Sequence, residues 1–266
     1  MSKIDTRSVD QSLAVAIGQT WEGYWFLPSA GRSLAVVRIV TGILGLFLCT
    51  SYTIDLLDWF GPSGWLPADS VTAWRSPFAC SIFDACATNA AITSTFYGLV
   101  FLFVLLTIGF VTPVTSLLAA LGWASLLQRG PMLAGPADDG VAVLLWCLVI
   151  GASGDYFSVD AVLHRKFDWH PPRFRVRSRI AVGLLQVHAA VISGAALLSQ
   201  LKGDVWWNGT AVWWMAARKP GRLLDITDLL LQSEYLCNVL THGIILWEAL
   251  VVGGIWFVST QKVIAR

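Results

Sequence analysis

Of the 266 residues, 56% are hydrophobic and only 13% are charged, about half the ~25% charge of an ordinary soluble domain, which excludes a soluble two-domain enzyme. A net charge of +1 gives no basis for a nucleic-acid partner, and five Cys are too few for a disulfide framework. Fourteen Trp, a residue that concentrates where a bilayer meets water, complete the composition of an integral membrane protein.

The first 32 residues do not read as a secretory signal, because Gln11, Gln19 and Glu22 interrupt any apolar core. Val9, Leu13, Ile17, Trp21 and Trp25 fall four apart, one stripe on a helix. This predicts an amphipathic helix on the membrane surface; a short helix packed on the protein's own body reads equally well.

Six apolar stretches follow, at about residues 34–57, 91–110, 113–127, 140–157, 180–201 and 235–258. Each is judged against the ~20 residues a helix needs to cross the hydrocarbon. No sustained period-two alternation favours a membrane β-barrel. The expected fold is all-α, a polytopic transmembrane bundle of about six spans with amphipathic interfacial helices. Its parts are a cytoplasmic segment at 1–32, a membrane domain at 33–258 and a cytoplasmic tail at 259–266.

Lys and Arg set the orientation. The loop after the fourth stretch carries Arg165, Lys166, Arg173, Arg175, Arg177 and Arg179. Placing it in the cytoplasm also places Lys3, Arg7, Arg32, Lys262 and Arg266 there. Asp55, Asp58, Asp69 and Asp84 then lie outside with only Arg75. The outer segments, about 58–90 and 202–234, read as caps on the outer face. The second carries Trp206, Trp207, Trp213 and Trp214 and the sequon Asn208-Gly209-Thr210. Cys80 and Cys86 face outward and could bridge, whereas Cys49, Cys147 and Cys237 read as packing residues.

Ionisable groups in a span are costly, so each asks for a partner or a role. Arg38 reads as a snorkelling cation. Asp138 and Asp139 open the fourth span, where capping accounts for a carboxylate. Asp155 and Asp160 bracket its inner end beside the basic loop and read as structural, pairing with arginines or capping a turn. Gln186 and His188 lie in the fifth span, and His242 and Glu248 in the sixth. The four His, at 164, 170, 188 and 242, have no metal-ligand spacing, and no metal is expected. Neither a nucleophile elbow, a phosphate-binding loop nor a Cys-x-x-Cys is present.

Five segments occur in an order that carries a resemblance. They are Leu34-Ala-Val-Val-Arg38-Ile-Val-Thr-Gly42 with Asp58-Trp-Phe-Gly-Pro-Ser-Gly-Trp-Leu66, and Ile108-Gly-Phe-Val-Thr-Pro-Val-Thr115. Next come Arg129-Gly-Pro-Met132 through Asp139 with Gly154-Asp-Tyr-Phe-Ser-Val-Asp160, then Gln186 through Lys202-Gly-Asp-Val-Trp206-Trp-Asn-Gly209-Thr-Ala211. Thr241-His-Gly243 through Trp247-Glu248 is the last. Together they resemble the HTTM domain, the membrane domain of vitamin K-dependent gamma-carboxylase and of many bacterial relatives.

The resemblance implies a helical bundle with a cavity open to the outer side and, in a bacterium, residence in the inner membrane. In the carboxylase, a lysine six residues before the tryptophan of a Lys-Leu-x-Gly-x-x-Trp pattern acts as base on a reduced naphthoquinone. Counting back from Trp206 reaches Gln200, with Leu201 and Gly203 in register. A Gln amide cannot take that proton. Lys202, roughly 200° further around a helix, does not replace it. A supporting histidine of the carboxylase corresponds to the Asp138–Asp139 region, a second departure.

The implied cavity gathers Asp139, Gln200, Lys202, Trp206 and Glu248. Three functions follow as expectations. The first is a binding or assembly subunit that holds a lipid, a quinone or another membrane protein. The second is a membrane enzyme with other chemistry on an apolar or quinone-type substrate. Glutamate carboxylation is the least expected.

Overall fold

The computed structural model describes residues 6–75, 79–168, 174–218 and 225–264. Lys3, His170, Arg173 and Arg266 lie outside these, and of the N-terminal stripe only Trp21 and Trp25 have described side chains. The chain is all-α. Along it run α1 (Thr6–Phe26), α2 (Arg32–Ile54), α3 (Leu56–Phe60), α4 (Ala68–Trp74), α5 (Asn89–Ile108), α6 (Thr112–Arg129) and α7 (Pro136–Ile150). After these come α8 (Val159–Lys166), α9 (Val176–Gln200), α10 (Asp204–Trp207), α11 (Ala211–Ala216), α12 (Thr227–Gln232) and α13 (Glu234–Ile264). Strands β1 (Ser29–Ala30) and β2 (Phe174–Arg175) form one antiparallel ladder.

Four helices are long and apolar enough to cross a membrane: α2, α5, α9 and the Glu234–Ile255 part of α13. This suggests a multi-pass membrane protein. The two remaining apolar stretches also lie on helices, α6 and α7, of 18 and 15 residues. At about 1.5 Å per residue, α7 reaches roughly 22 Å, short of the ~30 Å hydrocarbon core.

The chain forms two compact units, residues 21–183 and residues 1–20 with 184–266. In the first, α2 packs on α5, α5 on α6, α6 on α7 and α7 back on α2, a closed antiparallel ring of four helices. Its core is Phe60, Phe96, Phe103, Trp123, Leu126 and Leu145, all nearly free of solvent. Phe103 and Tyr52 each meet the Trp123 ring edge-on, at 5.5 and 6.3 Å between centroids. Gly42 faces Thr107 and Gly45 faces the Phe103 ring so closely that α2 and α5 could not keep this spacing with a side chain at either glycine.

One end of the ring is covered by α3, α4 and the 3-10 turn Ile82–Ala85. Asp84 holds this cover down: it takes Arg75 at 2.6 Å and lies 4.0 Å from Arg129, which donates to the Phe60 carbonyl. Burial pulls the Arg129 guanidinium below its ordinary range, a shift that Asp84 opposes. Ser81 donates to the Ser125 carbonyl at 2.7 Å. Cys80 and Cys86, the possible bridge, are free thiols, and Cys86 Sγ instead lies 3.4 Å from Thr95 Oγ1.

At the opposite end, Arg38 is fully buried. It does not snorkel to water, because unpaired peptide carbonyls are closer to hand. Its guanidinium donates to Ser153 and Phe157 and is attracted by Asp160. Asp160 accepts from the Val111 and Thr112 N–H groups at 2.8 and 2.7 Å and from the Thr112 hydroxyl at 2.7 Å. Val111 and Phe157, neither of them glycine, hold positive φ of 46° and 48° here. Asp155 pairs with Arg175 at 3.0 Å. Arg179 donates to the Tyr24 carbonyl and stacks 4.7 Å over its ring. Burial pushes the Tyr24 phenol above its ordinary range, and the guanidinium partly offsets it.

Candidate functional site

In the unit of residues 1–20 and 184–266, α11 and α12 pack on α13 and on each other. Between them lies a cavity of about 490 Å³, inside the ~300–1,000 Å³ range of small-molecule sites. Trp213 and Trp214 form one wall, T-shaped at 5.0 Å and 80°. Leu230 and Leu231 give an apolar side, and Asn208, Thr210, Glu234 and Asn238 give a polar one. The Cys237 thiol, 5% exposed, is free.

The turn before α11 sets this geometry. Gly209 has φ of +72°, and an added Cβ would lie 2.2 Å from the Asn238 side chain. A left-handed backbone pressed on a neighbour admits only glycine. The buried Thr241 hydroxyl lies 3.0 Å from the Gly209 carbonyl and 2.9 Å from that of Cys237. It also accepts from the Val212 N–H at 3.3 Å. Loop and helix are thereby tied where the cavity opens.

Three polar atoms of this unit are buried without a hydrogen-bond partner among the described residues: Trp213 Nε1, Gln200 Oε1 and Glu248 Oε2. Such groups are costly, and a bound molecule is one way to satisfy them. The indole offers a donor, and the amide and carboxylate oxygens offer acceptors.

Gln200, 8% exposed, is the last residue of α9. A Cβ at Gly194 would lie 3.9 Å from Val252 of α13. Lys202 is exposed in the turn after α9. Trp206 is half-buried, and its backbone N–H donates to the Gly203 carbonyl at 3.0 Å. Asp139 belongs to the other unit, in the first turn of α7, where it is exposed while Asp138 is buried. His188 and His242 are exposed, and each donates from Nδ1 to the carbonyl four residues back. Among the described residues, no cluster of His, Cys, Asp and Glu is arranged to hold a metal ion.

Trp213, Cys237, Asn238 and Glu234 were not among the residues expected to line a cavity. The one signal for them was Asn208-Gly209, a turn dipeptide that reverses the chain onto α13. Compared with known proteins, the chain matches no family model, no curated protein and no solved structure.

Proposed function

We propose that this chain is a six-span protein of a bacterial inner membrane, with both termini cytoplasmic, that binds an amphipathic lipid or quinone through the Trp213 cavity. The carrying observation is the buried, unpartnered Trp213 Nε1 in the wall of a mainly apolar cavity with one polar side. A ring with a carbonyl or hydroxyl oxygen supplies the missing acceptor, and the tryptophan pair supplies stacking surface. The HTTM-like order of motifs supports a cavity opening to the outer side. Gln200 in place of a basic lysine supports binding or assembly over carboxylation.

The test is lipid extraction of the purified protein followed by mass spectrometry. A ring-bearing lipid retained in stoichiometric amount, and lost about tenfold in Trp213→Phe, supports the reading. Bulk phospholipid only, unchanged by the substitution, overturns it. A stoichiometric membrane-protein partner without such a lipid would favour the assembly-subunit form.

A second reading, an enzyme acting on an apolar substrate, is favoured by Glu248. Its buried Oε2 lacks a partner, and a carboxylate can take the proton that the amide of Gln200 cannot.

A further inference from the structure

The two ends of the 21–183 unit carry opposite free charge. At the covered end Arg75 and Arg129 are both held by Asp84, while Asp55, Asp58 and Asp69 are exposed and pair with no cation among the described residues. At the α8 end the arrangement is reversed. Asp155 is taken by Arg175, and Asp160 by the Val111 and Thr112 N–H groups and the Thr112 hydroxyl. Asp168 is also engaged. Arg165, Lys166 and Arg177 are exposed and meet no carboxylate at ion-pair distance among the described residues. Exposed Arg32 only stacks, 5.3 Å over the Tyr156 ring. Against these four cations, Glu22 of α1 is the one exposed carboxylate without a partner among the described residues of this end.

The level of α8 follows from α5. Its 20 residues reach about 30 Å, the depth of the hydrocarbon, so the turn after it lies at the edge. Asp160 donates its N–H to the Gly109 carbonyl of that turn at 3.1 Å, and α8 therefore starts there. The half-buried side of α8 is Ala161 and His164. Outward it shows Val162 and Leu163, and Phe167 at its end is 74% exposed. Phe157, before α8, is 66% exposed. Its carbonyl is committed to Arg38, and its φ of 48° is a conformation that bulky residues avoid. These side chains continue the exposed row Phe101, Val104, Ile108 and Phe110 along α5 and its turn. Apolar groups flanked by free cations at the hydrocarbon edge form the pattern of a segment lying on an anionic membrane. A soluble acidic partner would match the cations but not the continuity with the α5 row.

We propose that the segment 157–167 is seated in the headgroup layer of the membrane. Phe157, Val162 and Phe167 enter the headgroup–acyl boundary, and Arg32, Arg165 and Lys166 take the phosphates of anionic phospholipids. The seat rests on the chain crossing a membrane, and on neither the Trp213 cavity nor the side on which the termini lie.

The experiment puts a fluorophore on one exposed thiol of the full chain in nanodiscs of equal phosphatidylcholine and phosphatidylglycerol. The thiol is Phe167→Cys in a Cys80→Ser, Cys86→Ser background, or native Cys80 in Cys86→Ser as the control at the covered end. A nitroxide near the top of the acyl chain is carried by one lipid or the other. At position 167 the nitroxide lipids should quench and aqueous acrylamide should not. The phosphatidylglycerol probe should act at a mole fraction at least about fivefold lower, the scale of one basic residue at an anionic surface. That preference should fall to near unity in Arg165→Gln/Lys166→Gln and in high salt, and should be absent at Cys80. Arg165 and Lys166 are exposed, so their replacement leaves the fold intact. Val162→Cys, also exposed, reports the same depth if Phe167→Cys does not fold. Quenching by acrylamide without quenching by lipid would put the segment in water and favour a soluble acidic partner, overturning the proposal. Equal quenching by both lipids, a preference unchanged in the Arg165/Lys166 variant, or the same preference at Cys80 would also overturn it.

Discussion

Asp160, in the first turn of α8, accepts three hydrogen bonds from Val111 and Thr112 and so caps α6 from 48 residues further along the chain. Val111 itself cannot cap: it has no side-chain acceptor, and its φ is 46°. The carboxylate does what a local Ser or Asp usually does at a helix start. It also returns the bond, donating its own N–H to the Gly109 carbonyl at 3.1 Å.

Replacing Asp160 by Ala should therefore cost about 2 kcal/mol, within the range for lost caps and charged hydrogen bonds. Thr112→Val should cost less, and the double variant should cost less than the sum, because both remove the same contact. Thermal unfolding of the four proteins in one detergent measures this. Additive losses would show that the two groups act separately.

Arg38 should tolerate no simple replacement. Lys keeps the charge but has no fork to reach both Ser153 and Phe157, whose carbonyls would then be left buried. Arg38→Lys should lower stability by about 1–3 kcal/mol, with Arg38→Leu worse, since it also removes the charge facing Asp160. A Lys variant as stable as the parent would contradict the two-carbonyl role.

The proposed orientation has a native reporter in Cys80, an exposed thiol on the segment that covers one end of the bundle. In whole cells an impermeant maleimide should label Cys80 from outside. A Cys at exposed Lys166, in a Cys80→Ser background, should label only after the membrane is opened. Ser178 is fully buried and cannot serve as the inside reporter. The reverse labelling would invert the topology.

Gln200 separates stability from binding. With its amide oxygen buried and unpartnered, Gln200→Leu should leave thermal stability unchanged or raise it. Gln200 does not line the Trp213 cavity, so the same substitution should leave retention of the proposed lipid unchanged. A clear loss of stability would make Gln200 a structural residue.

Alkaline pH gives a further check. Tyr24 is held above its ordinary value of 10.0, chiefly by burial, so the fold favours its protonated form. That contribution is present below pH 10 and is lost as pH rises through the higher folded value. Tyr24→Phe should flatten the fall in unfolding temperature above pH 10. An unchanged slope would assign the fall to other groups.

The helical scaffold was legible because apolar runs report on themselves: each of the six stretches falls mainly on one helix, α2, α5, α6, α7, α9 and α13, although the stretch at 140–157 runs seven residues past the end of α7. What packing decides was not. Asp138 and Asp139 are indistinguishable as neighbours, and only the entry of α7 through Gly135 and Pro136 turns the first inward and the second out. Arg38 looked like a cation bound for water because its acceptors, Ser153 and Phe157, lie more than a hundred residues away. The Trp213 pair read as part of a cap on the outer face, since no spacing shows that Thr241 ties the Gly209 turn to α13.

The long-range cap imposes an order on synthesis. As the chain emerges, the α5–α6 hairpin is complete at residue 129, yet the leading N–H groups of α6 have no side chain to receive them until residue 160 exists. By then α7 has already been made. The turn between α5 and α6 is completed only after α7 although it is translated before it, and a chain truncated before α8 should leave the first turn of α6 frayed and open to hydrogen exchange.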